Sequence, residues 1–149
     1  MVLAACSESP PPNTTSEPTP TVQGLKDAPV MPIALQEVVD TYVLGGTRTD
    51  LQREALTAKL MGATVSWRFK IYDIAKEDSR YRVMSELMGG SEPEAFGKLT
   101  VVAFMTPRDD QDVQALLKLQ TGSEVEIRGR VDGVTVRTAL VLSPAELVR

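Results

Sequence analysis

Apolar positions along this chain change period several times, and each change marks an element. From Met31 onward Ile33, Leu35, Val38, Val39 and Tyr42 recur near helical spacing, and Pro32 suits a first helical turn, so a short helix is expected to about Val43. Gly45-Gly46 ends it. Thr49 followed three residues later by Gln52 has the form of a capping box opening a second helix, Asp50 to Leu60, with Leu51, Ala55 and Ala58 on one face. After Gly62 the period becomes two: Val65, Trp67, Phe69 and Ile71 alternate with Ser66, Arg68, Lys70 and Tyr72, the pattern of a strand with one buried face. Lys76-Glu77-Asp78-Ser79 is a polar turn, and Tyr81, Val83, Ser85 and Leu87 alternate in its hairpin partner. A third strand, Leu99 to Met105, is apolar on both faces, which implies cover on both. Asp109 to Leu119 predicts a helix burying Val113, Leu116 and Leu117. Two alternating strands follow, Glu124 to Val131 and Val134 to Leu142, joined by Asp132-Gly133 in what the residue types predict to be a type I′ turn.

Five strands with a helix between the third and fourth is the element order of an OB-fold barrel. The chain resembles the tRNA-anti-like OB-fold family of small bacterial proteins over roughly Thr49 to Leu142. Leu60-Met61-Gly62 leads into Val65-Ser66-Trp67, and Leu116 to Leu119 lead into Gly122-Ser123-Glu124-Val125-Glu126-Ile127-Arg128-Gly129-Arg130-Val131. The resemblance implies a mainly β (α+β) domain, a five-stranded barrel or half-barrel preceded by two helices, and no reaction. The first strand has no glycine between Val65 and Ile74, although small barrels usually coil their first strand at a glycine or bulge. A flatter half-barrel or β-sandwich is therefore an alternative.

Residues 1–30 differ in kind. Leu3-Ala4-Ala5-Cys6 resembles a bacterial lipobox, and Ser7 to Pro20 is Ser, Thr, Pro, Glu and Asn, with five prolines opposing helix and sheet. Residues 1–30 are thus expected to be a lipobox remnant and a disordered tether, with residues 31–149 forming the domain. A tether of about 20 such residues spans roughly 25 Å. Acylation of Cys6 would anchor the chain in a membrane, and Ser7, by resemblance to Gram-negative lipoproteins, implies the outer membrane, facing the periplasm. A secretory signal also needs a charged region and an apolar region of about 7 to 15 residues. Only Met1 and Val2 stand before the box, so this reading expects further chain upstream.

Charge and composition narrow the chemistry. The net charge of −4 repels phosphate backbones and argues against a generic nucleic-acid binder. With no histidine and one cysteine, the usual catalytic triads, Cys-clustered metal sites and an internal disulfide are excluded. Asp109, Asp110 and Asp112 fit helix-dipole complementarity better than a cation site, and Glu92 and Glu94 form no evident catalytic pair. Neither a cofactor nor a metal is expected.

The remaining candidate is cationic. Arg68 and Lys70 lie on the outer face of the first strand and Arg80 and Arg82 on that of the second, and a hairpin is expected to bring all four together near the face where OB-folds take ligands. A solvated strand face balanced by Glu77, Asp78 and Glu86 is the plainer account of these charges. Trp67 and Phe69 share the buried face and are expected in the core, which leaves few aromatics for base stacking. These features point to a non-catalytic, envelope-anchored lipoprotein serving as an interaction module for an envelope protein or glycan. The alternative is single-stranded nucleic-acid binding by the basic hairpin.

Overall fold

A computed structural model describes residues 22–135 and 138–149. Cys6 and the proline-rich stretch lie outside the described residues. A six-residue helix, α1 (Val22–Asp27), precedes the expected domain boundary, and its Leu25 is buried where α1 packs on the last strand. Packed structure therefore begins ahead of Met31.

The second helix, α2 (Leu35–Tyr42), starts later than the apolar spacing implies. Met31 donates its N–H to the Thr64 carbonyl, and Val30 forms a parallel bridge with Thr64. This backbone is committed to the barrel before a helical turn can form. Helix α3 (Asp50–Leu60) carries the expected capping box, with the Thr49 hydroxyl accepting from Gln52 N–H and the Gln52 side chain accepting from Thr49 N–H. Its buried face is not the expected one: Leu51 is 75% exposed and Ala55 and Ala58 face solvent, while Arg53 and Leu60 are buried. The Arg53 guanidinium donates to the carbonyls of Thr41, Val43 and Arg48 and pairs with Asp50. The α2–α3 connection leaves carbonyls that need a donor, and the arginine's apolar stem can line the interface while its head satisfies them.

The strands are β1 (Thr64–Glu77), β2 (Arg80–Ser85), a two-residue β3 (Met88–Gly89), β4 (Lys98–Met105), β5 (Glu124–Thr135) and β6 (Ala139–Leu147), with α4 (Asp110–Lys118) between β4 and β5. The order β2-β1-β5-β6-β4 closes through a β2–β4 pairing. All neighbours in the barrel are antiparallel except β4 and β6. This is a closed five-stranded OB-type barrel, and closure excludes the half-barrel and sandwich alternatives. The alternating residues Val65, Trp67, Phe69, Ile71, Leu99, Val101, Ala103, Val125 and Ile127 fill its interior as the periodicity implies. Trp67 is in the core, and its indole N–H donates to the Ile33 carbonyl at 3.0 Å.

β1 coils without glycine because it contains a bulge. Its pairing with β2 steps from Ile71↔Ser85 to Asp73↔Met84, so Tyr72 is an extra residue and stands 60% exposed. An extra residue increases local twist and bends the strand. Before the bulge β1 pairs with β5 over Thr64–Lys70, and after it β1 pairs with β2.

Two further expectations are corrected. Asp132-Gly133 is not a turn: β5 runs through it to Thr135, neither residue has a positive φ, and the chain reverses between Thr135 and Ala139. Register steps from Val131↔Leu142 to Gly133↔Val141, so Asp132 is a second bulge residue. In α4, Leu116 is buried but Leu117 is 70% exposed, and the buried partner on that helix is Asp112.

Candidate binding faces

The four candidate cations divide into two groups. Arg68 and Lys70 lie on the first half of β1, opposite Glu126 and Glu124 of β5. The Arg68 guanidinium is 3.4 Å from both carboxylates, and Ser66 also donates to Glu126. These two cations border a shallow groove of about 260 Å³ with Leu35, Leu87 and Met88. Arg80 and Arg82 stand opposite Glu77 and Ala75, beyond the bulge. Five residues separate Lys70 from Ala75, roughly 16 Å of strand. The expected single patch does not form, because the turn at Asp78-Ser79 sets Arg80 and Arg82 opposite Glu77 and Ala75, at the far end of the hairpin from Lys70.

The second group belongs to the outer face of β2 and β4. Register places Arg82 opposite Phe104, Met84 opposite Val102, and Val102 beside Val141 of β6. The Arg80 guanidinium lies 4.1 Å from the centroid of the Phe104 ring, a cation–π contact. Arg82 donates to Glu77 at 2.6 Å, and its buried Nε has no partner among the described residues. Met84, Val102, Phe104 and Val141 are all half-buried. The face therefore joins an apolar strip to arginines already held by a ring or a carboxylate. Reasoning from charge alone passes over Met84, Val102 and Phe104; the signal was the third strand's apolar residues on both faces.

A second cluster lies where α4 meets the end of β6. The buried Asp112 carboxylate accepts Arg108 Nε at 2.8 Å and Nη2 at 2.9 Å, and also the Arg108 backbone N–H. Arg108 reaches the buried Glu146 at 3.4 Å and donates to the Leu147 carbonyl. Arg128 lies 3.7 Å from Glu146, and Arg149 pairs with Asp112 and Asp109. The Arg108 guanidinium holds the Asp112 carboxyl below its ordinary range, against the opposing effect of burial. Asp109 caps α4 by accepting the Asp112 N–H, which with Arg149 lowers its own pKa. These acids lock the helix to the barrel. Among the described residues no cluster of three or more His, Cys, Asp or Glu side chains could hold a metal, and no helix is long and apolar enough to cross a membrane.

No family model matches the sequence, and comparison with curated proteins finds no match. Among solved structures, the chain is similar to a "putative nucleic acid-binding lipoprotein" from Klebsiella pneumoniae, with 19% identity over 88% of this chain and 100% of that one, at a TM-score of 0.49. It is also similar to the S. pombe Stn1–Ten1 complex, at 10% identity over 58% of each chain and a TM-score of 0.38. An OBody, AM1L10, bound to hen egg-white lysozyme shares 15% identity over 61% of this chain and 83% of that one, with a TM-score of 0.39. These likenesses are distant, and the fold assignment rests on the barrel's own strand order.

Proposed function

We propose that this chain is a non-catalytic interaction module, tethered to the cell envelope through an acylated Cys6, that takes a protein partner on the outer face of β2 and β4. The observation that carries the binding reading is the state of that face. Its arginines are engaged by Glu77 and by the Phe104 ring, and Met84, Val102 and Val141 present half-buried aliphatic surface between them. A phosphate backbone is gathered by free cations, and bases need open aromatic faces on which to stack. Here Arg80 lies over the Phe104 ring, and Arg68 on the other side of the bulge is likewise paired. An apolar strip with a polar rim instead matches the core and rim of a protein interface. A glycan is the less favoured occupant of this face, since the Phe104 ring there is covered by Arg80. The absence of histidine supports a role without acid–base chemistry. The motif ending at Cys6 and the proline-rich stretch after it support the anchor.

The test is a photo-crosslinking residue at Val102, in cells producing the chain with its own upstream codons, beside one at the remote, exposed Leu51. An envelope protein captured from Val102 and not from Leu51 supports the reading. Nucleic acid captured at Val102, or equal capture from both positions, overturns it. For the anchor, fatty-acid label is expected in the parent and absent from Cys6→Ser; label in neither, with the upstream codons present, removes the lipoprotein reading.

A further inference from the structure

The barrel leaves one stretch of β1 with an open edge. Pairing with β5 ends at Lys70↔Glu124, whereas pairing with β2 continues to Glu77↔Arg80. Beyond the bulge, among the described residues, no strand pairs the other side of β1. Which backbone groups face that side follows from the hairpin. The two-residue turn Asp78-Ser79, with Asp78 at φ 54°, makes Glu77 and Arg80 a hydrogen-bonded pair. Alternation then turns the N–H and C=O of Glu77, Ala75 and Asp73 toward β2, and those of Ile74 and Lys76 toward the open edge. Tyr72 agrees with this count, and Ile71 has the reversed parity expected on the far side of the bulge. Ile71 exchanges hydrogen bonds with Ser123 and Gly122 on the β5 side, and the Tyr72 carbonyl accepts from the Thr121 hydroxyl on the same side.

Against this edge lies a groove of about 450 Å³ between β1 and the end of α4, lined in part by Ile74, Tyr81, Leu116, Leu117 and Leu119. Leu117 is the exposed leucine that the helical period had placed in the core, and it borders this groove. Asp73 and Lys76 also border this groove; on the outer row of the strand segment Asp73 is exposed, while Glu77 is held by Arg82.

We propose that this edge is a docking site for an extended segment of a partner protein, which adds to the barrel as a strand beside residues 73–77. The open N–H and C=O of Ile74 and Lys76 call for a strand, since only an extended backbone offers matching donors and acceptors in register. The two rows of side chains define its chemistry. Residues turned into the groove are apolar, to cover Ile74, Leu117 and Leu119, and the outer face carries a basic residue to meet Asp73. About five residues, roughly 16 Å, fill the edge. The site is separate from the β2–β4 face and holds whether or not that face binds a protein.

The experiment uses the full chain and two synthetic heptapeptides, one alternating arginine with valine and one alternating glutamate with valine. Amide exchange and backbone NMR shifts are read with each. The arginine peptide is expected to slow exchange at Ile74 and Lys76 while leaving Met84 and Phe104 unchanged, and the glutamate peptide to do neither. Lys76→Pro deletes an edge N–H that β2 does not use, and is expected to weaken peptide binding about tenfold, the worth of one such hydrogen bond. Asp73→Arg is expected to turn preference toward the glutamate peptide. If Lys76→Pro fails to fold, Asp73→Arg decides alone. No slowing at Ile74 and Lys76 with either peptide at millimolar concentration, slowing centred on Met84 and Phe104, or an Asp73→Arg preference like the parent's overturns the proposal.

Discussion

Arg108 stands between two buried carboxylates, and replacing it with methionine tests how α4 is held to the barrel. The substitution keeps most of the side chain's apolar length and removes four donated bonds: two to Asp112, at 2.8 and 2.9 Å, one to the Leu147 carbonyl at 3.0 Å and a longer one to Glu146 at 3.4 Å. Asp112 and Glu146 side chains are each 3% exposed, so water cannot replace the lost donors. Breaking a buried pair by removing one partner costs about 3 to 5 kcal/mol. Arg149, 3.4 Å from Asp112, and Arg128, 3.7 Å from Glu146, remain and place the effect at the lower end, about 3 kcal/mol. For a domain of this size that corresponds to a fall in Tm of about 10 °C. Urea unfolding at pH 7 measures it directly.

The pH dependence supplies the sharper check. In the parent, the Arg108 guanidinium holds Asp112 below its ordinary value, so the carboxylate contributes stability above the unfolded pKa of about 3.9, which is lost as pH falls through the folded value. In Arg108→Met, burial acts on Asp112 with less opposition, its folded pKa rises, and protonation relieves the variant as pH falls. The difference in stability is therefore expected to narrow from pH 7 toward pH 4. Adding Asp112→Leu to Arg108→Met should restore most of the loss, because an apolar replacement removes the stranded charge. A variant within about 0.5 kcal/mol of the parent at pH 7, or a gap that widens on acidification, would refute the network's role.

Other consequences follow from the core. Gly129 faces the barrel interior, where a Cβ would lie 2.9 Å from the Leu142 Cβ and 3.1 Å from the Ala145 Cβ, atoms fixed to backbone. Gly129→Ala is expected to lose about 1 to 3 kcal/mol by urea unfolding, and a neutral result would mean that β5 and β6 can part freely there. Trp67→Phe removes the bond to Ile33 and leaves that carbonyl unpaired. A loss of about 1 to 2 kcal/mol is expected, with faster amide exchange at Met31, whose N–H bonds Thr64 nearby.

Much of the fold was legible because alternation and local capping depend on neighbours within a few residues. Val65, Trp67, Phe69 and Ile71 point inward as their period requires, and the Thr49–Gln52 capping box closes over three residues. What could not be read depends on contacts between distant segments. Arg53 takes an inward position on α3 because the carbonyls of Thr41 and Val43 need donors, and no helical pattern records that need. Asp112 is buried because Arg108 meets it and Glu146 thirty-four residues further on waits beside them. The cationic patch failed for one reason. Arg68 with Lys70, and Arg80 with Arg82, were each placed on the correct face, but the hairpin register sets Arg80 and Arg82 opposite Glu77 and Ala75, well along β1 from Lys70. The bulge itself left a trace in the sequence, since the inward residues Ile71 and Ile74 stand three apart and break the two-residue period.

Asp132-Gly133 makes the same point with a measurable sign. In a type I′ turn both central residues would take positive φ, and alanine at the second would cost about 1 to 2 kcal/mol. In the observed barrel Gly133 lies within β5, outside the left-handed region, and a Cβ there would meet Val141 Cβ at 3.8 Å, an ordinary contact. Alanine can adopt that backbone without strain and restricts the unfolded chain, so Gly133→Ala is expected to stabilise by about 0.4 to 1 kcal/mol. The two geometries thus predict opposite signs for one substitution. Denaturant midpoints at constant m-value decide between them. A destabilisation of about 1 kcal/mol or more would restore the turn at Asp132-Gly133 and, with it, move the reversal of the β5–β6 hairpin back from residues 135–139.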